Sequence, residues 1–390
     1  MPGTHAILSA SGAERWMACP PSARLEQTFP DSTSAFAEEG THAHALAELM
    51  LRKRYMTGLG PRAFQKALDG LTADPRYTVE MPEHVKTYTD YVEERYNAAL
   101  AVCMDPLIAV EQRLDLTRWV PEAFGTGDAI IVADGTLEII DLKYGKGIPV
   151  QAEGNPQLRL YGLGAYAAFC MLYDISTVRM TVVQPRLDNI TTETLSTSEL
   201  LNWAESQVRP VAELAIKGLG EFETGAHCRF CRAAAVCRKR AETMMATAAY
   251  DFKVPPVLED DEIPAILEIA DELSEWINAI TSYALRAAEA GARFAGWKLV
   301  EGRATRRYAN EDAVLERLKF SGFEEAIITK RSLLGLTEME KTIGKKPFAE
   351  ILGELIIRPA GKPALVRATD KRPELQSAAT AETDFKEGNE

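Results

Sequence analysis

Histidine is scarce in this chain, with five in 390 residues. Any imidazole-based chemistry must therefore come from a very short list. Positive charge is also in short supply: 44 Lys and Arg stand against 57 Asp and Glu, a formal net charge of −13. That balance argues against a protein that coats nucleic acid non-specifically, though not against an enzyme with a local basic channel. No apolar run approaches the roughly 20 residues of a membrane span, so no membrane partner is expected. The opening MPGTHAILSASGAERW has no basic segment leading into an apolar core. No signal peptide is read there, and a cytoplasmic location is expected. Cysteine is limited to six residues. Cys103 and Cys170 sit in apolar contexts and read as core thiols. The remaining four, Cys19, Cys228, Cys231 and Cys237, cluster in a way that favours metal binding over disulfides in a cytosolic chain.

What is present is organised around residues 125–161, GTGDAIIVADGTLEIIDLKYGKGIPVQAEGNPQLRLY. Two short runs rich in Ile and Val, 129–133 and 136–140, flank Asp134-Gly135, the dipeptide preferred in a two-residue hairpin turn. With that turn, Ala133 faces Thr136, and counting outward sets Asp128 opposite Asp141. Opposed residues have Cβ atoms roughly 4.5–5.5 Å apart, and like charges there repel. Lys143 shares a strand face with Asp141. Two acids and an ammonium thus converge, and a divalent cation between the acids relieves the repulsion. Further on, Gln157 and Tyr161 fall at i and i+4 on a helix that Asn155 caps and Pro156 begins.

The sequence Gly127-Asp128, then Ile139-Ile140-Asp141-Leu142-Lys143, then Gln157-x-x-x-Tyr161 resembles the PD-(D/E)XK nuclease superfamily in its RecB-like branch. Gly40-Thr41-His42-Ala43-His44 resembles that branch's motif for a histidine ligand to the same metal. The resemblance implies a mixed central sheet flanked by helices, a restriction-endonuclease-like α/β core. It implies His44, Asp128, Asp141 and the carbonyl of Leu142 as ligands of Mg²⁺ or Mn²⁺. It also implies Lys143 as the residue orienting the attacking water, with Gln157 and Tyr161 positioning DNA. Glu111, in the middle of an expected strand at 107–116, corresponds to a glutamate common in such sequences, and a role behind the direct ligands is expected. General-base work by Lys143 needs a lowered pKa, which nearby carboxylates oppose. Orientation and electrostatic help are therefore the expected contribution.

Cys228-x2-Cys231-x5-Cys237 supplies three thiolates, and a fourth ligand must come from elsewhere. Zinc and an iron–sulfur cluster both use four such ligands. One N-terminal Cys plus three C-terminal to a RecB-like core resembles the iron–sulfur-stapled nucleases, among them the AddB nuclease domain and the CRISPR-adaptation exonucleases. That resemblance implies a [4Fe–4S] cluster on Cys19, Cys228, Cys231 and Cys237. Zn²⁺ is the alternative, with His227 as a substitute ligand. Arg229, Arg232, Arg238, Lys239 and Arg240 crowd this segment, where they offset thiolate charge or contact phosphates.

Elsewhere, Ser11 with Glu14 reads as a capping box opening a short helix through Trp16 to Cys19. A helix is expected over 36–55, where Gly40 suggests close approach of another backbone. Residues 57–82 read as a loop-rich connection, 83–102 as a helix, 177–184 as a strand and 197–218 as an amphipathic helix. Composition shifts near Val254-Pro255-Pro256. A long helix over 261–290, one or two strands over 294–308 turning at Gly302, and short helices near 311–319 and 346–356 follow. Lys298, Arg303, Arg306 and Arg307, beside Trp297 and Tyr308, form the best basic-aromatic patch for contacting nucleic acid. The expected organisation is a nuclease domain over 1–250, a mainly helical region over 251–367 and a disordered tail over 368–390. As a whole the chain resembles a phage-encoded RecB-like family catalogued as a domain of unknown function. That implies a metal-dependent DNA exonuclease in recombination or replication, in the host cytoplasm, acting on single- or double-stranded ends beside a phage single-strand-binding or annealing protein. A structure-specific endonuclease and a non-catalytic DNA-binding scaffold are the rival expectations.

Overall fold

The computed structural model describes residues 6–30, 35–248, 263–302, 307–329, 333–357, 363–367 and 373–375. The chain forms two compact units, Met1–Leu258 and Glu259–Glu390.

The first unit is a mixed α/β structure. Short helices α1 (Ala13–Ala18) and α2 (Ser22–Leu25) precede α3 (Ala35–Tyr55), α4 (Pro61–Thr72) and α5 (Met81–Leu100). A sheet then forms from β1 (Leu107–Asp115), β2 (Phe124–Ala133), β3 (Gly135–Leu142), β4 (Ile175–Gln184) and β5 (Asn189–Ser196), in the order β1-β2-β3-β4-β5. The pair β3/β4 is parallel and the other neighbours are antiparallel. Helix α6 (Pro156–Phe169) connects β3 to β4, as a parallel pair requires. After the sheet come α7 (Thr197–Trp203), a π-helical turn at Ala204–Val208, α8 (Arg209–Lys217) and α9 (Arg238–Ala248).

The β2–β3 hairpin has the register that the Asp134-Gly135 turn dictates, running from Ala133↔Thr136 to Ala129↔Ile140. Gly135 takes φ +84°, which glycine adopts without a Cβ penalty. Side chains alternate across the sheet, and each face has its own core. One face, carrying Ile130, Val132, Leu137, Ile139, Val178 and Met180, packs under α6 with Leu158, Leu160 and Leu163. The other, carrying Val110, Ala129, Ile131, Ile140, Leu142 and Val183, packs under α3 and α5 with Leu46, Leu51, Val85 and Tyr88. Burying a side chain of this size contributes about 1.5–3 kcal/mol. Helix α6 comes very close to β1: a Cβ added at Gly164 would lie 2.9 Å from Leu114 Cβ and 2.9 Å from Leu116 Cδ2. Asn155 caps α6 by accepting from the N–H groups of Gln157 and Leu158, and Pro156 opens it.

Several expectations are corrected here. Residues 57–82 are not mainly loop, because Gly60-Pro61 opens α4: proline is tolerated in the first turn, where its missing N–H has no intrahelical role. Strand β5 is a polar edge strand that alternation alone does not reveal. The N-terminal cap is Ser9, which accepts from Gly12 N, and Ser11 makes no capping box. Among the described residues, a Cβ at Gly40 would meet nothing within 4 Å, so no described backbone approaches it closely. Cys103 is buried, but Cys170 is only half-buried.

The second unit holds α10 (Ile263–Glu289), β6 (Trp297–Glu301), β7 (Arg307–Tyr308), α11 (Glu311–Phe320), α12 (Glu325–Ile328), α13 (Leu336–Ile343), α14 (Lys345–Leu352), β8 (Ile356–Ile357) and β9 (Pro363–Arg367). The strands of 294–308 do not pair with each other: β6 pairs β9 and β7 pairs β8, both antiparallel. A small core of Val314, Leu318, Ile328, Met339, Phe348 and Leu352 lies among its helices. The expected tail over 368–390 lies outside the described residues, apart from 373–375.

Candidate metal centre

The hairpin register, extended one step beyond Ala129↔Ile140, sets Asp128 against Asp141. On the other side of β2, the register runs from Val110↔Ala129 to Gln112↔Gly127, which sets Glu111 across from Asp128. Glu111 has φ +50° inside a strand. That conformation is uncommon for a residue with a Cβ, and such strain persists where surroundings hold it, frequently at functional sites.

His44 comes from α3, with Nδ1 at 3.3 Å from Asp128 Oδ2. The ligand atoms of His44, Glu111 and Asp128 all lie within 4.8 Å of one another. Asp141, expected as the second carboxylate ligand, is not in that closest group: its Oδ2 lies 3.0 Å from Lys143 Nζ. Glu111, expected behind the ligands, is in it. The contact of Lys143 with Asp141 has ion-pair distance without hydrogen-bond geometry, and Asp141 Oδ2 is buried with no hydrogen-bond partner among the described residues. A buried carboxylate oxygen without a donor is costly. A cation there would add to the charge that Lys143 already supplies at 3.0 Å, and the donor set of one imidazole and three carboxylates fits a divalent ion with oxygen and nitrogen preferences.

The charges are coupled. Burial penalises the Asp128 carboxylate, but His44, the Leu142 N–H and Lys143 outweigh it and hold its pKa below the ordinary value. The Leu142 N–H donates to Asp128 Oδ2 at 2.8 Å. Burial, helped by Asp128, pushes Asp141 up despite Lys143. Burial opposes the His44 imidazolium, yet Asp128 and then Asp141 raise its pKa to about 9. Burial and Asp128 push Glu111 up to about 7. Lys143 Nζ also donates to Gln157 Oε1 at 2.9 Å, and Gln157 Nε2 donates to the Tyr161 hydroxyl at 3.0 Å. Burial raises the Tyr161 phenol, which stays protonated at neutral pH. Lys143, Gln157 and Tyr161 thus form one hydrogen-bonded line, and the Lys143 ammonium sets its charge 3.0 Å from Asp141 Oδ2.

Two contributors carry no motif. Tyr88 of α5 lies fully buried beneath the carboxylates and donates to Ile140 O at 3.2 Å. Its helical period marked it only as apolar. Arg186, just past β4, pairs with Glu39 of α3 at 3.1 Å and stacks 4.8 Å from the Tyr144 ring centre. It therefore ties the histidine-bearing helix to the residue after Lys143. No local sequence signal foretells that, since the three positions meet only in the fold.

Cys19, Cys228, Cys231 and Cys237 all line one small cavity, together with Ser22, His227, Arg15 and Arg240. Burial opposes the thiolates of Cys19 and Cys228, but hydrogen bonding to His227 and to backbone N–H groups outweighs it and lowers both. Burial, with Glu26 nearby, pushes Cys231 up to about 12. His227 is raised to about 10 by Cys19 and Cys228.

In the second unit, Arg303 and Arg306 lie outside the described residues. Lys298 lies on β6 opposite Val366, while Arg307 lies on β7 opposite Ile357, in different two-stranded sheets. The Tyr308 hydroxyl donates to Leu334 O and its ring packs on the small core, so it is not an open stacking platform.

The profile of a family described as "Protein of unknown function (DUF2800)" matches residues 5–373. Among solved structures the chain is similar to one described as "Crystal structure of SSO0001", at 13% identity, over 57% of this chain and 95% of that chain, with a TM-score of 0.24. A likeness at that score carries no argument about fold or function. No helix among the described residues is long and apolar enough to cross a membrane.

Proposed function

This chain belongs to the DUF2800 family, and we propose that it is a metal-dependent DNA nuclease with a RecB-like PD-(D/E)XK core, acting from DNA ends as an exonuclease in phage recombination or replication. The observation that carries this reading is the meeting of His44, Glu111 and Asp128 with the line Asp141–Lys143–Gln157–Tyr161 at one point. Five separate segments contribute to it, and a simple hydrophobic fold has no need of such a gathering of acids.

His44, Glu111 and Asp128 would hold Mg²⁺ or Mn²⁺, with Asp141 completing the set. Such an ion supplies a water of lowered pKa and neutralises phosphate charge. Lys143 adds a fixed positive charge beside the ligands, suited to orienting the attacking water and to the charge that grows on the phosphate oxygens. Gln157 and Tyr161 restrict Lys143 to one direction, so little reorganisation is needed when substrate arrives.

The four cysteines would hold a [4Fe–4S] cluster joining the N-terminal segment to residues 228–237. Tetrahedral zinc with bonds of about 2.3 Å needs sulfurs about 3.8 Å apart. Among the described residues, no Cys or His trio in this pocket closes to within 4.8 Å. The wider arrangement around a cavity favours a polynuclear cluster over zinc.

The test is digestion of end-labelled single- and double-stranded linear DNA, beside covalently closed circles, with Mg²⁺, Mn²⁺ or EDTA. Linear substrates should disappear with either ion, survive in EDTA, and the circles should be spared. Cutting of circles replaces the exonuclease with an endonuclease. DNA binding without cleavage replaces the enzyme with a scaffold.

A further inference from the structure

The cysteine pocket contains a polar group that neither the nuclease reading nor the four thiols use. Ser22, the first residue of α2, is 3% exposed, and its hydroxyl is buried with no hydrogen-bond partner among the described residues. Ser22 lines the same cavity as Cys19, Cys228, Cys231 and Cys237. Leaving a buried hydroxyl unpaired costs about 1–3 kcal/mol. Serine near a helix start usually escapes that cost by capping, but α2 has no side-chain cap. None of the four thiol sulfurs lies within hydrogen-bonding reach of the hydroxyl either. An occupant of the cavity that Ser22 lines could supply the acceptor it lacks.

Hydrogen bonding to His227 and the backbone holds the Cys19 and Cys228 thiols below their ordinary values despite burial, and His227 Nε2 also lies 3.0 Å from Glu223 O. Arg15 and Arg240 bring positive charge to the wall. A cavity bounded by sulfurs and donors suits an occupant with negatively polarised acceptor atoms of its own. A lone zinc ion has none, whereas the bridging sulfides of an iron–sulfur cluster are such acceptors.

We propose that the Ser22 hydroxyl donates a hydrogen bond to a sulfur of the bound cluster and thereby raises its reduction potential and slows its loss. This rests on the cluster reading above. The physical basis is that hydrogen bonds to cluster sulfurs favour the more negative, reduced state. Ser22 is a positioning and tuning residue in this role and touches no DNA.

The test compares wild type, Ser22→Ala and Ser22→Thr, each reconstituted anaerobically with iron and sulfide. Wild type and both variants should hold about four irons per chain. The midpoint potential, followed by electron paramagnetic resonance, should move negative in Ser22→Ala and stay near wild type in Ser22→Thr, which keeps a hydroxyl. Iron release to a chelator should be several-fold faster in Ser22→Ala alone. If Ser22→Ala fails to fold, Ser22→Cys, a weak donor of similar size, should give a smaller negative shift. An unchanged potential with about four irons bound sinks the role of Ser22 and leaves the cluster standing. A wild type that takes zinc and no iron sinks both.

Discussion

The two ligand-rich sites of the first unit place different groups beside their buried acids and thiols. At the carboxylate site the chain brings its own cations: His44 lies 3.3 Å from Asp128, and Lys143 lies 3.0 Å from Asp141. Around the cysteines Glu26 is already engaged by Arg15 at 2.6 Å. The Ser22 hydroxyl has no hydrogen-bond partner among the described residues. The first site can exchange a proton for a metal ion and return to a neutralised state. The second is lined by thiols with His227, raised to about 10, and two arginines beside them. A catalytic ion that comes and goes belongs with the first arrangement, and a group assembled once and kept belongs with the second. Buried charge pairs are weak sources of stability, whereas a structural metal contributes folding energy directly.

The comparison breaks most visibly if the two sites prove inseparable. Lys143→Ala should slow cleavage of end-labelled DNA at least ~100-fold, in line with losing one electrostatic catalytic group, while iron content and the thermal unfolding midpoint remain near wild type. Equal cleavage rates would remove Lys143 from the mechanism. Loss of iron would mean that the sites are not independent.

Proton exchange sharpens the contrast next. His44, raised to about 9, and Glu111, raised to about 7, both carry protons that an entering ion must displace. Apparent Mn²⁺ affinity, measured calorimetrically, should therefore climb about tenfold from pH 7.5 to 8.5, with about one proton released per ion in that range. A flat profile would take His44 out of the ligand set. The metal-free protein runs the other way. A histidine raised above its unfolded value stabilises the fold fully below about pH 6.5, and that contribution fades as pH rises through about 9. Mn²⁺ should thus raise the unfolding midpoint more at pH 8.5 than at pH 6.5, while retention of bound iron stays level between those two pH values.

Which parts of this were readable in advance follows from how local each signal is. The Asp134-Gly135 turn fixes a register within a few residues, so the opposition of Asp128 and Asp141 could be counted off the sequence. Asn155-Pro156 likewise announces the start of α6, and with it the direction in which Gln157 and Tyr161 point. Glu111 was harder, because β1 meets β2 through a longer connection, and its left-handed backbone has no signature in a glutamate. Helix α4 was hidden by Gly58, Gly60 and Pro61, which read as breakers although proline suits a first turn. The strands of the second unit pair with segments some 50–70 residues away, Trp297 with Arg367 and Arg307 with Ile357, and no window of local sequence carries that information. The Arg186 clamp and the orphaned Ser22 hydroxyl belong to the same class, since each arises only when distant segments meet.

The smallest effect concerns a residue near the metal site that should leave both sites alone. Gly40 lies in α3 one turn before His44, and a Cβ there meets nothing within 4 Å among the described residues. Glycine inside a helix is less favourable than alanine by about 0.5–1 kcal/mol, through the entropy of the unfolded chain. Gly40→Ala should therefore raise the unfolding midpoint by about 2 °C for a unit of this size, with Mn²⁺ affinity, cleavage rate and iron content unchanged. A stabilised protein that cuts more slowly would show that α3 must bend or shift at Gly40 to deliver His44. The carboxylate site would then be one that closes around its ion.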